Sequence, residues 1–390
     1  MKKIISVCLL LGLGLSVVFA QKPEKIYSII KVDKPHEFYV QQSELWWGEI
    51  EKDKTNEEAW HNYYKSNRYG YLTYRGEGSW SEYKQEWDFL MDPVEILKLI
   101  EQNIPNTYTD LILRKACDLG DENVIQYLEK AYNMRPDDPE LYDELITYYE
   151  MKGNLEKRKE FNKKLFKSNE ISSGFLNYSY NLIMSLKPNS IILTFGDNDT
   201  YPLWLLQDAL SIRQDILVLN IPLLSNNDYQ SIMFRKIGLK PMTLNNEDSQ
   251  YPQNEKIIID YIIKNINLEE YPLYIGLPAW KQLKEYESDL YLVGLALEYS
   301  EKNIDNIALL RKNFEENYAL DYLSNRFEYD MSASIVDRMN INYLPAIFKL
   351  YEHYKISGDF KKASKLKDLG LEIAERSNQD WINKAESVFK

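Results

Sequence analysis

The run Ile191-Ile192-Leu193-Thr194-Phe195-Gly196-Asp197-Asn198-Asp199-Thr200-Tyr201-Pro202-Leu203-Trp204 constrains the fold more than any other part of the chain. An apolar stretch stops at a glycine and an acidic turn, and a Thr and a Pro then open an amphipathic segment. This reads as a buried strand, a loop at its carboxyl end and a helix from Tyr201 to Ile212. The same alternation continues downstream. Asp215 to Pro222, Tyr271 to Leu277 and Asp289 to Leu297 read as further strands. Phe175 to Leu186, Asn226 to Ile237 and Glu255 to Ile266 read as helices. Strands alternating with helices predict a small parallel sheet covered on both faces. In open sheets of this kind ligands gather outside the carboxyl ends of the strands.

Upstream the pattern is helical. Tyr142, Leu145 and Tyr149 recur at helical spacing, Gly153 interrupts them, and Leu155, Phe161 and Leu165 resume. With Pro136 this matches one tetratricopeptide-like hairpin, departing at two small positions, where Ile146 and Arg158 stand. Tyr108, Leu111, Val124, Leu128 and Ala131 suggest a second hairpin. Ile347, Leu350, Tyr354, Gly358, Phe360 and Ala363 suggest a third. The expected organisation is a signal peptide over 1–20, a tetratricopeptide-like helical domain over 21–170, an α/β domain over 171–335 and a terminal hairpin over 336–390. The fold class is α/β plus all-α.

Lys2 and Lys3, the apolar stretch from Ile4 to Phe19, and Val18-Phe19-Ala20 make a secretory signal peptide cleaved near Ala20. No later segment reaches the roughly 18 apolar residues of a spanning helix. The expected location is the periplasm, with no stable membrane insertion. Cleavage removes two of the 47 basic residues and none of the 60 acids, taking the net charge from −13 to −15. Such a surface disfavours nucleic acid. Cys117 then stands alone, so no intramolecular disulfide forms, and packing is its expected role. His36, His61 and His353 show no metal spacing.

The acidic turn has two readings. Asp197 and Asp199, one residue apart, could share a divalent cation with an oxygen from Asn198 or Thr200, with Trp204 and Gln207 flanking the site. Alternatively Asp199 or Thr200 caps the helix, Asp197 faces the positive helix terminus, and Pro202 lies in the first turn. A second candidate surface is aromatic. Trp46, Trp47, Trp60 and Tyr64 belong to a stretch that also holds Trp80 and Trp87. Such rings bind a peptide or sugar when exposed on a concave surface, and fill gaps between helices when buried. Arg75-Gly76-Glu77-Gly78-Ser79 reads as a loop without phosphate-binding spacing.

Gly196 to Trp204, followed by Arg213-Gln214-Asp215-Ile216 and Val218 to Leu224, resembles a signature of bacteroidete membrane proteins described as protein O-mannosyltransferase-like. Tyr201 replaces a Phe and Pro222 a Ser of that signature. Tyr271 to Ile275 resembles a later strand of the family, and the likeness spans Ser172 to Ser377. It implies an exported soluble portion. The family's transfer chemistry is expected in a membrane portion that this chain replaces with helical hairpins. The resulting expectation is a non-enzymatic binding or scaffold protein, without a cofactor, accessory to envelope glycosylation or assembly. Its partner would be an envelope protein, peptide or glycan. The alternative is a metal-dependent enzyme acting on sugars or phosphorylated carriers at Asp197 and Asp199.

Overall fold

The computed structural model describes residues 22–74, 91–114, 123–244, 251–278, 283–325 and 329–390, with the side chains of 251–253 left aside. The signal peptide, Cys117, Trp80, Trp87 and the loop from Arg75 to Ser79 lie outside the described residues. The chain divides into two compact units. Unit 1 comprises residues up to Ile26 and Pro35–Pro105, and unit 2 comprises Tyr27–Lys34 and Asn106–Lys390.

Unit 1 is helical among its described residues: α1 (His36–Lys52), α2 (Glu57–Thr73) and α3 (Pro93–Asn103). Asn56 caps α2 by accepting the Ala59 amide, and Asp92 caps α3 by accepting that of Val94. The aromatic cluster forms the interior here. Trp46, Trp60 and Tyr64 are buried and Trp47 is half-buried, its ring lying across Trp60 and Tyr63. The Trp46 indole donates to the Glu24 carbonyl at 2.9 Å and that of Trp60 to the Lys54 carbonyl at 2.9 Å. At Trp46 and Trp60 burial and the indole hydrogen bonds both serve the packing between helices.

Unit 2 opens with helices α4 (Tyr108–Arg114), α5 (Val124–Met134), α6 (Tyr142–Met151), α7 (Leu155–Lys167) and α8 (Ser173–Met184). The α6–α7 hairpin turns at Gly153, whose φ of 67° suits glycine. The sheet region follows: β1 (Ile191–Thr194), α9 (Asp197–Leu210), β2 (Leu217–Asn220), α10 (Asn227–Lys236), α11 (Tyr251–Asn265), β3 (Leu273–Gly276), β4 (Leu290–Leu292) and β5 (Ala296–Tyr299). The strand order is β2-β1-β3-β5-β4. Helices α12 (Asn306–Lys312), α13 (Asp321–Ser324), α14 (Ala333–Asn340), α15 (Leu344–Ser357), α16 (Phe360–Glu375) and α17 (Gln379–Val388) complete the chain.

The sheet is mixed, which corrects the all-parallel expectation. β1 pairs parallel with β2 and β3, whereas β5 runs antiparallel to β3 and β4. The expected single strand over Asp289–Leu297 is two strands: it holds β4, the reversal at Gly294 and the start of β5. Gly294 has φ 140°, and any Cβ there would collide with the Tyr318 hydroxyl. A hairpin needs no crossover helix, so its second strand joins antiparallel. Every β1 residue is buried, as a central strand covered on both faces requires. Ile191 and Leu193 join Leu219, Tyr229, Phe234, Ile258, Ile262 and Ile275 in one core on the side of α10 and α11. Among the described residues no helix is long and apolar enough to cross a membrane.

Candidate functional site

β1 lies between β2 and β3, so the chain leaves its carboxyl end in one direction and returns on the other side. This is a topological switch point, and the acidic turn sits on it. The turn is the first turn of α9 itself. Helix α9 starts at Asp197, four residues earlier than expected, with Gly196 as its extended N-cap. Asp197 and Asp199 thus occupy positions where carboxylates meet the positive helix terminus. Pro202 consequently falls in the second turn, where it supplies no N–H to the Asn198 carbonyl.

The two carboxylates part company. Asp199 turns back onto the loop, accepting the Gly196 amide at 2.6 Å and the Phe195 amide at 3.1 Å. This is the reciprocal half of a capping box. A Cβ on Gly276 at the end of β3 would lie 3.3 Å from the Leu193 carbonyl oxygen, so glycine lets the neighbouring strand β1 pass close by. Burial pushes the Asp199 carboxyl up to about 6, while the amides from Phe195 and Gly196 pull the other way. Thr200 is also buried. Its hydroxyl donates to Thr194 Oγ1 at 2.7 Å and accepts from Asn220 Nδ2 at 3.0 Å, tying β1, α9 and β2 together. Trp204 is buried as well, with Tyr201 edge-on to its ring and the Arg158 guanidinium 5.6 Å from its ring centroid.

Arg213 and Asp215, the next pair of the signature, form another structural clamp. The Arg213 guanidinium donates to the carbonyls of Ile183, Leu186 and Lys187 at the end of α8 and pairs with both Asp215 oxygens at 2.9 Å. Asp197 and Asn198 differ from these residues, because they line a cleft. They share it with Tyr201, Pro202, Asp143, Phe175 and the backbone segment at Ile30 and Lys31. The free volume is about 20 Å³, room for about one water. The cleft adjoins a groove of about 510 Å³ between the start of α8 and Tyr329–Ser332. Glu170, Ile171, Ser172 and Ser332 border both. Among the described residues no group of three or more His, Cys, Asp or Glu side chains is placed to hold a metal ion.

A second polar centre was not anticipated. Arg158 reaches from α7 to donate through Nε and NH2 to both Asp208 oxygens on α9, at 2.8 and 3.0 Å, and through NH1 to Glu150 on α6 at 2.6 Å. Asn162 donates to Asp208 at 2.7 Å, and the Tyr229 hydroxyl of α10 donates to Glu150 at 2.7 Å. All five residues are buried, and burial followed by the Glu150 carboxylate raises the Tyr229 hydroxyl well above its usual range. The signal was present in the sequence: Arg158 occupies a position where the repeat pattern wants a small residue. Its length docks the α6–α7 hairpin onto α9 and α10.

Residues 175–347 match the family model described as TMEM260-associated domain 2. The match is consistent with a TMEM260-like family. It covers α8, the sheet, the acidic turn and the following helices into α15, and begins after α6 and α7. No curated protein matches the chain.

Proposed function

We propose that this chain is a non-catalytic binding module, exported to the periplasm behind a leader ending near Ala20 and accessory to envelope glycosylation or assembly. Its ligand is an envelope polypeptide or glycan, held at the cleft of Asp197 and Asn198 and the adjoining groove. The α6–α7 hairpin, read as tetratricopeptide-like, lends Asp143 and Leu165 to the wall. One observation carries this reading: Asp199, Thr200, Arg213, Asp215 and Asn220 all spend their polar atoms on holding the sheet region together. The signature thereby positions Asp197 and Asn198 on a concave surface. A shared cation would need both carboxylates turned to one point, whereas Asp199 faces the loop amides.

The test is an array of peptides and oligosaccharides probed with the mature protein, beside calorimetric titration of Mg²⁺, Mn²⁺ and Ca²⁺. The expected result is saturable retention of some array member, lost in Asp197→Ala/Asn198→Ala, and no cation uptake that depends on Asp197. Cation uptake abolished by Asp197→Asn, with nothing retained on the array, would overturn the reading in favour of metal-dependent chemistry.

A further inference from the structure

Ile30 and Lys31 line the cleft together with Asp197 and Asn198, and about 20 Å³ is left free between them. Residues Tyr27–Lys34 belong to unit 2, although the residues on either side of them in sequence belong to unit 1. The segment is a preformed loop, closed where the Lys31 and Val32 amides donate to the Ser28 carbonyl at 2.9 Å each. Polar contacts with its backbone and with its charges hold it to unit 2. Asn198 Nδ2 donates to the Ile30 carbonyl at 3.2 Å, Lys31 Nζ pairs with Glu170 at 2.7 Å, and Asp33 pairs with Arg338. Asp143, Glu170 and Asp197 put three carboxylates around the cleft that holds Ile30 and Lys31.

Building on the binding reading above, we infer that the cleft is a receptor for a polypeptide loop carrying an apolar–basic pair, and that residues 27–34 are its resident occupant. The argument rests on the kind of contact made. An amide side chain reading a backbone carbonyl accepts any sequence, while an acidic wall beside it selects a basic side chain. The loop holds itself in the cleft by a few polar contacts at half-exposed sites, each worth little in water. Tethering supplies a high effective concentration, so the resident loop competes with any loop arriving from outside. The acidic balance of the chain, net −13, favours encounter with basic partners. The open groove beside the cleft gives an incoming chain room to continue beyond the pair.

The test uses a fluorescent peptide with the sequence of residues 26–35, titrated by anisotropy into the mature protein. Lys31→Ala/Asp33→Ala should loosen the resident loop and raise affinity for the peptide at least tenfold over the unsubstituted protein. Adding Asn198→Ala or Glu170→Lys should return it to the starting value. No gain in a folded loop variant overturns the inference, even when the array finds another ligand, so its failure is distinct from failure of the binding reading. Hydrogen exchange on the unsubstituted protein decides the case if the variants unfold. Amides of Lys31 and Val32 exchanging at least a hundredfold faster than those of β1 are expected. Exchange only with the global unfolding of β1 would make the segment an integral part of the fold and overturn the proposal.

Discussion

Helix α9 holds a buried carboxylate near each end, and the two are managed in opposite ways. Asp208 meets a guanidinium through both oxygens and a carboxamide as well, in a cluster that joins α6, α7, α9 and α10. Asp199 meets two backbone amides of its own loop, and burial pushes its carboxyl up to about 6. The first is a joint between the α6–α7 hairpin and the helices α9 and α10, in which buried charges of opposite sign meet. The second is a local cap, whose charge can be given up at modest cost. The cap at Asp199 closes the turn between β1 and α9. It fixes the first turn of α9 to within a hydrogen bond, and Asp197 and Asn198 are what that turn presents.

The largest test of this contrast is Arg158→Met. Removing the guanidinium leaves Glu150 and Asp208 buried without the cation they share, and breaking such a cluster costs about 3–5 kcal/mol. Urea unfolding should register that loss. Replacing all three groups with apolar residues of similar volume, as in Glu150→Leu/Arg158→Met/Asp208→Leu, should recover most of it. A loss below about 1 kcal/mol for Arg158→Met, the figure for exposed pairs, would erase the distinction between joint and cap.

Much of this molecule was legible in its sequence, and the parts that were not share a cause. The strands around Ile191, Leu217 and Leu273, and the helices around Phe175, Asn227 and Ile258, follow from periodicity, and their positions agree with the structure to within a few residues. The start of α9 was misplaced because Thr200 and Pro202 are good helix openers, while Asp197 and Asp199 are equally good first-turn residues. Local propensity could not choose between two overlapping starts. The β4–β5 hairpin was missed because Gly294 has no turn-type partner in sequence, and the reason for glycine there is Tyr318, arriving from 24 residues downstream. The loop at Ile30 and the cluster at Arg158 depend on contacts across 168 and 50 positions, which no periodicity encodes. The tryptophans of unit 1 illustrate the other limit. Their number was plain, but only packing decides whether a ring is a surface or a core.

Protonation sharpens the comparison next. The folded value of Asp199, about 6, lies above the 3.8 of an ordinary Asp, so the folded chain holds this proton more tightly than the unfolded one. Its contribution to stability is therefore full below about pH 4 and is lost as pH rises through about 6. Two units correspond to about 2–3 kcal/mol. Stability measured from pH 3.5 to 7.5 should fall with rising pH in the unsubstituted protein relative to Asp199→Asn, whose own cost does not titrate. A flat difference across that window would mean that the two amides hold Asp199 ionised throughout. On the other side of the contrast, Tyr229→Phe removes one donor from Glu150 without removing its cation. About 1–2 kcal/mol in urea unfolding is expected, less than for Arg158→Met and nearly independent of pH in the same range.

The smallest expected effect is the most informative about the cleft. Lys31 and Glu170 keep 20% and 37% of their side chains exposed, against 11% and 1% for Arg158 and Glu150. Water screens the first pair and has been removed from the second, so Lys31→Ala should cost under about 1 kcal/mol of global stability. Its consequence should be local instead: faster amide exchange across residues 27–34, with α9 and β1 unchanged. A site that merely cements the fold would behave like the Arg158 cluster, spreading the damage through everything it joins. A site held closed by its own loop should open without disturbing the frame beneath it, because Asp199, Thr200 and Arg213 hold that frame whether or not the loop is seated.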